Sequence, residues 1–364
     1  MAEAGVRVVS GHTDSPNLRI KPQPILRGHG FIRLGIEVYG GVLHATWTDR
    51  DLGLAGQVFV RSRSGQDARL VDIRRPICRI PNIAIHLNRG VNDEGLKLNP
   101  QTQLPAVLSL DTEALGVDPL RRLLATEISC SEADILTWDL CLFDLTAPTT
   151  GGLDEALVFS ARLDNLASCH AALEALLSSV ETEPLPPAHT QIIALFDHEE
   201  VGSTTSRGAT SRLMESLLER LIRDAESQAP GGLPRALANS FHLSADMAHA
   251  VHPAWPEKHD ALHLPQIGKG PVIKQNSGQR YATEAETAAR LIRICEAADV
   301  PYQWFVNRAD LACGTTVGPL VAAELGIRTV DVGNPMLSMH SAREMCGTED
   351  HALMVRLMTR FLQT

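Results

Sequence analysis

Apolar runs that stop abruptly at polar residues recur along this chain. The first, Val6-Arg7-Val8-Val9-Ser10, predicts a short strand that ends in Gly11-His12-Thr13-Asp14-Ser15-Pro16. Beyond Pro22 and Pro24 the pattern changes to alternation, as in Ile32-Arg33-Leu34-Gly35-Ile36-Glu37-Val38-Tyr39 and Gly56-Gln57-Val58-Phe59-Val60-Arg61. Alternation broken by turn residues predicts antiparallel strands, so residues 23–149 read as a β-rich insert. From Ala161 onward strands and helices take turns, which reads as α/β. Asn165–Leu177 and Arg212–Ile222 carry apolar residues at helical spacing, and a last helix is expected over Asp350–Leu362. A proline-rich link, Glu183-Pro184-Leu185-Pro186-Pro187, leads into Gln191-Ile192-Ile193-Ala194-Leu195, read as a buried strand, and Ala229-Pro230-Gly231-Gly232 marks a loop. There is no internal repeat and no low-complexity tract.

The run 191–195 delivers Phe196-Asp197-His198-Glu199-Glu200-Val201-Gly202-Ser203. Adjacent carboxylates at the carboxyl end of a strand fall where open α/β sheets bind ligands. Like charges there raise each other's pKa unless a cation neutralises them, which points to a metal. His12, Asp164, Asp246 and His340 also follow apolar runs, and with Glu200 they make a set of two histidines and three carboxylates. Nitrogen and oxygen donors without thiolate suit Zn²⁺, Mn²⁺ or Co²⁺. Two metals about 3.5–4 Å apart need a bridging carboxylate, and Asp164 is the natural choice. Taken singly each residue has a plainer reading: Asp164 as the cap of the helix near Asn165, Asp246 as a turn residue, His12 as a cap partner, His340 as a structural histidine.

The chain has 364 residues, enough for a large core, with 44% hydrophobic and 21% charged residues and a formal charge of -10. That balance argues against nucleic acid, which needs a basic surface. No apolar run is long enough to cross a bilayer, and Met1-Ala2-Glu3-Ala4-Gly5-Val6 lacks the basic and apolar regions of a leader, so a cytoplasmic location without membrane attachment is the expectation. Seven scattered cysteines with no Cys-x-x-Cys pair predict neither a disulfide framework nor a thiolate zinc site.

Seven segments resemble the aspartyl aminopeptidases, members of the co-catalytic dizinc exopeptidases, and they follow that family's order over nearly the whole chain. They are Gly11–Pro16, Arg162–Asn165, Asp197–Ser203, Ser244–Pro253, Lys269–Lys274, Cys313–Pro319 and Met339–Glu344. The resemblance implies two Zn²⁺ per subunit, with Mn²⁺ or Co²⁺ as replacements. His12 and Asp246 would hold one ion, Glu200 and His340 the other, and Asp164 would bridge them. It implies Glu199 as general base, Asp14 as acceptor of the second His12 imidazole N–H, and a cis bond between Asp164 and Asn165. It assigns Lys274 to the acidic side chain of the substrate, with Tyr281 as a nearby hydrogen-bond donor. His86, in Ile83-Ala84-Ile85-His86-Leu87, reads from its alternation as a strand residue facing water, whereas the resemblance sends it across a subunit interface into the neighbour's active site.

The resemblance implies an α/β zinc-aminopeptidase core, a mixed and mostly parallel sheet flanked by helices, over residues 1–22 and 150–364. The insert 23–149 would be a β-rich dimerisation domain, with dimers assembling into a tetrahedral dodecamer. The expected reaction releases amino-terminal Asp or Glu from peptides. The alternatives are a neutral, leucine-type preference on the same chemistry, or an inactive assembly protein. Relatives carry several dozen residues before the Gly-His-Thr-Asp motif, which gives the expectation that this chain is shortened at its amino end and less stable for it.

Overall fold

The computed structural model describes residues 3–182, 189–226 and 232–364. The proline-rich link at 183–187 and residues 229–231 of the expected loop lie outside the described residues. The chain opens with β1 (Val6–His12) and passes into β2 (Asn17–Gly28), β3 (Phe31–Tyr39), β4 (Leu52–Ser62) and β5 (Gly65–Cys78). A short helix α1 (Val91–Glu94), β6 (Ala106–Leu110), α2 (Pro119–Glu127) and β7 (Ile135–Asp144) follow. Then come β8 (Thr149–Gly151), β9 (Leu157–Ser160), α3 (Leu163–Thr182), β10 (Thr190–Phe196), α4 (Leu213–Glu226), α5 (Gly232–Ala238), β11 (Phe241–Ala245) and β12 (Ala248–His249). The chain closes with β13 (Val272–Gln275), α6 (Ala285–Ala297), β14 (Gln303–Val306), α7 (Val317–Leu325), β15 (Thr329–Gly333), β16 (Pro335–Leu337), β17 (Glu344–Gly347) and α8 (Thr348–Leu362).

These elements form two compact units, one of Met1–Ser15, Pro148–Met339 and Glu344–Thr364, the other of Pro16–Ala147 with His340–Arg343. In the first unit a six-stranded sheet runs β10-β1-β11-β15-β13-β14. Four of its five pairings are parallel and only β13 against β15 is antiparallel. Alternation along β1 serves two cores. Val6 and Val8 pack with Met214, Leu218 and Val321, while Val9 joins Ala171, Leu243, Leu353 and Phe361. A five-stranded sheet, β12-β16-β17-β9-β8, belongs to the same unit.

The second unit is an antiparallel sheet, β5-β4-β7-β2-β3-β6, over a core that includes Leu18, Leu34, Leu54, Ile73 and Leu140. Its first strand corrects the expected boundary, because β2 runs through Pro22 and Pro24 where the insert had been expected to begin. The pairing with β3 shifts register between Ile20 and Ile25, so residues that lack an N–H are accommodated by an irregularity in the ladder.

Three more expectations need correction. β10 is not a buried strand, since only Ile192 and Phe196 of its seven residues are buried. It is an edge strand that pairs only with β1 among the described residues, and Leu195 is 41% exposed. His86 is not on a strand but in a single 3₁₀ turn, Ile85–Leu87, closed by the Leu87 N–H donating to the Ala84 carbonyl (2.9 Å) and the Asn88 N–H to the Ile85 carbonyl (3.2 Å). His340–Arg343 groups with the β-rich unit, because Leu43 N–H donates to the His340 carbonyl (3.1 Å) and Ala342 N–H to Thr46 Oγ1 (2.9 Å).

Candidate metal centre

His12 is the last residue of a strand whose seven residues are all buried, and it is itself 1% exposed. Its neighbour β11 ends at Ala245 and delivers Asp246 at the same end of the sheet. Asp164 enters from the start of α3, where Asp164 and Asn165 have non-helical backbone angles and the bond between them is cis. The 3₁₀ turn after β10 supplies Glu199 and Glu200, introduced by His198 in the left-handed region (φ 62°). The parallel strands β10, β1 and β11 therefore aim their carboxyl ends at one place.

His12 Nε2 lies 3.4 Å from Asp164 Oδ1 and 3.7 Å from Asp246 Oδ1. Ligand atoms of His12, Asp164 and Asp246 all fall within 4.8 Å of one another, as do those of His12, Glu199 and Glu200. Such crowding shifts protonation. Burial favours the neutral His12 ring, but the carboxylates of Asp14, Asp164 and Asp246 outweigh it and hold its pKa well above the usual imidazole range. Burial also pushes the Glu199 carboxyl up to about 8, with Asp246, Asp164 and Asp14 adding to the rise and His12 opposing it.

Surrounding hydrogen bonds fix the frame. The Asp164 N–H donates to Glu344 Oε2 (3.1 Å), and the Asp164 carbonyl accepts from Ser15 Oγ (2.7 Å). Asn165 Nδ2 donates to the Ala245 carbonyl (2.7 Å) and the Cys169 thiol to the His12 carbonyl (3.0 Å), tying α3 to β11 and β1. Asp14 faces both His12 and the glutamate turn. The closest acceptor to His12 Nδ1 is the Asp14 carbonyl at 3.0 Å, with Oδ1 at 3.5 Å, while the two carboxylate oxygens receive the N–H groups of Glu199 and Glu200, each at 3.1 Å. The carboxylate thus holds the glutamate turn, and the Asp14 carbonyl and Oδ1 both face the imidazole.

Lys274, on β13, is 2% exposed, so it is not a solvated surface lysine. Its ammonium donates to the carbonyls of Asp246 (2.7 Å) and Met247 (3.2 Å) and lies 5.2 Å from the centre of the Tyr281 ring. The Tyr281 hydroxyl is buried and hydrogen-bonded with Cys313. His86 lies on an exposed stretch of the β-rich unit. His340 opens the 340–343 segment of that unit, its Nδ1 3.1 Å from the Gly41 carbonyl, and the residues flanking the segment, Met339 and Glu344, belong to the first unit.

Sequence reasoning missed Glu344 and Asp331. The first sat unread inside a recognised segment. The second lies in Thr329-Val330-Asp331-Val332, which looks like an alternating surface strand, yet the carboxylate is wholly buried. Also missed was a cavity of about 290 Å³ in the first unit, lined in part by His249, His252, Lys258, His259, Phe305 and Met339. The His-x-x-His spacing of His249 and His252, three and six residues past Asp246, was its available signal.

The family described as Aminopeptidase I zinc metalloprotease (M18) matches residues 1–362. The chain belongs to the M18 family. It is 46% identical over 365 residues to a probable M18 family aminopeptidase 2 of Pseudomonas entomophila (strain L48), covering 99% of this chain and 82% of that one. Ape4, solved by cryo-EM in complex with Nbr1, superposes with a TM-score of 0.95 at 38% identity, over 100% of this chain and 72% of Ape4. The S. cerevisiae mApe1 dodecamer gives 0.85 at 29% identity, over 100% and 80%. This M18 chain is a zinc aminopeptidase, a hydrolase, and the helix-flanked mixed sheet is the M18 fold. Its site fits zinc chemically, since the convergent donors are imidazole nitrogen and carboxylate oxygen and their crowded charges call for a cation. Among the described residues no helix is long and apolar enough to cross a membrane.

Proposed function

We propose that this M18 chain is an aspartyl aminopeptidase, a cytoplasmic enzyme that uses two zinc ions per subunit to release amino-terminal Asp or Glu from peptides. The observation that carries the reading is the convergence of His12, Asp164 and Asp246 beside Glu199 and Glu200 at the carboxyl ends of parallel strands. His12 and Asp246 would hold one ion, Glu200 and His340 the other, with Asp164 shared between them. Zinc supplies Lewis-acid polarisation of the scissile carbonyl and brings the pKa of water from about 15.7 toward about 7.

Glu199 takes the proton of the attacking water and returns it to the leaving amine. Its carboxyl is suited to both steps by position, since it lies with ligand atoms of His12 and Glu200 within 4.8 Å of one another. Asp14 keeps Glu199 and Glu200 in register through their two N–H groups. Lys274 has three N–H groups and spends two on carbonyls, which leaves one for an acidic side chain, with Tyr281 beneath it. His86 would reach a neighbouring subunit's active site from its exposed turn, within a homo-oligomer of dimers arranged as a dodecamer. The dodecameric mApe1 relative supports that assembly.

A leucine-type preference is the second reading, favoured by one observation: most of the Lys274 donor capacity is already engaged and its head is buried. Zinc titration of the metal-free chain followed by rates on Asp-, Glu- and Leu-anilides tests both. Two zinc equivalents with faster turnover of Asp and Glu support the first reading, and faster turnover of Leu supports the second.

A further inference from the structure

Lys274 occupies an unusual place for a residue assigned only to substrate. It reaches across a strand, because β13 pairs with β15 and β15 with β11, and its ammonium ends on the two carbonyls that follow the last residue of β11. The first of these belongs to Asp246. Gly333, at the end of β15, leaves room for this carbonyl: a Cβ there would stand 1.8 Å from the Asp246 oxygen. The Asp246 N–H is held by the Val332 carbonyl (3.0 Å), so the peptide groups on either side of the Asp246 Cα are both fixed, one by β15 and the other by the lysine.

The lysine has polar neighbours in the sheet. Its register partner on β15 is Asp331, a fully buried carboxylate that accepts the Thr316 hydroxyl (2.7 Å) and the Ala282 N–H (2.6 Å). Ala282 follows Tyr281, whose ring flanks the ammonium. A buried charge is costly, and an apolar residue of the same length would fill the space at less expense unless the charge does something.

We propose that Lys274 is a positioning residue for the metal ligand Asp246: by holding the Asp246 and Met247 carbonyls it sets where the Asp246 carboxylate points. The inference rests on Asp246 being a zinc ligand, as proposed above. It makes one ammonium serve both metal retention and substrate selection, so removing it alters both.

The sign of the metal effect separates positioning from simple electrostatics. Deleting a positive charge near a cation site strengthens cation binding if the charge acts only through space. If the lysine holds the ligand in place, its deletion weakens binding.

The experiment is zinc titration of metal-free full-length chain against a chromophoric chelator, with no substrate present, for wild type, Lys274→Met and Asp246→Asn. We expect Asp246→Asn to lose one of two zinc equivalents and Lys274→Met to bind one equivalent roughly 10- to 100-fold more weakly, the range for lost outer-shell support of a ligand. Wild-type or tighter zinc binding by Lys274→Met, with Asp246→Asn still losing an equivalent, overturns the positioning role and leaves the ligand assignment standing. Two full equivalents in Asp246→Asn overturn the ligand assignment and the inference with it. Should Lys274→Met fail to fold, Lys274→Gln, one bond shorter but still a donor, enters the same titration with the same two outcomes.

Discussion

Glu199 and His242 show how burial selects a protonation state. For Glu199, burial with no cation beside it pushes the carboxyl up to about 8, and Glu199→Gln removes the proposed base while leaving the neighbouring donors in place. The expected outcome is a fall in kcat of about 10²- to 10⁴-fold with zinc content and KM little changed, read by steady-state kinetics and metal analysis. His242 is wholly buried between Ser10 Oγ (2.6 Å from Nε2) and Thr329 Oγ1 (3.1 Å from Nδ1). The Thr329 hydroxyl donates to the Ile327 carbonyl, so it accepts from Nδ1–H, and Nε2 accepts from Ser10.

Burial drops the His242 pKa from 6.5 to about 3. Between those values the unfolded chain binds the proton that the folded chain refuses. Its contribution to stability is therefore complete above about pH 6.5 and drains away as the pH falls toward 3, by up to about 1.4 kcal/mol per pH unit. Chemical denaturation of wild type and His242→Gln at pH 7, 6, 5 and 4 should show the wild type losing stability faster on acidification. Parallel curves would refute this assignment. At this scale the sequence exposed the candidate ligands better than their supports. His12, Asp164 and Asp246 could be picked out because each follows an apolar run, whereas Asp331 and Glu344 act through contacts made only after distant strands come together.

Among elements, the end of β15 is the least forgiving. Gly333 is required by close approach, because the Asp246 carbonyl occupies the space of a side chain. Gly333→Ala should cost about 1–3 kcal/mol by overpacking and weaken zinc binding through displacement of Asp246, measured by thermal melts and zinc titration of the same sample. A variant with unchanged melting and unchanged zinc affinity would mean that the β11 terminus yields easily. The strands and helices themselves were largely legible, since alternation marked β3 and β4 and helical spacing marked α3, α4 and α8. What periodicity did not disclose was placement. β10 has the apolar content of an inner strand but sits at the edge, and β2 absorbs two prolines by a shift of register rather than ending at them. The turn at His86 was hidden because alternating aliphatic residues look alike in an exposed strand and in an exposed 3₁₀ turn.

For the whole molecule, M18 membership supplies the reaction, and the site supplies a reason for it: four carboxylates gather around the His12 imidazole, a donor set that suits a divalent cation. Assembly is a separate proposal. Light scattering of the purified chain should give a particle of twelve copies, and truncating the exposed turn with Ile85→Ala and Leu87→Ala should reduce it if that face carries subunit contacts. A particle unaffected by both changes would remove this turn from the interface. The proposed acidic preference rests on resemblance, and two of the three Lys274 N–H groups are already committed to backbone carbonyls.

The most direct test is hydrolysis of Asp-, Glu- and Leu-anilides by the full chain, before chelation, after chelation, and with Zn²⁺, Mn²⁺ or Co²⁺ returned. Activity that disappears with chelator, returns with zinc and favours Asp and Glu over Leu by at least about tenfold is the predicted result. Hydrolysis that survives chelation, or that favours Leu, would contradict it.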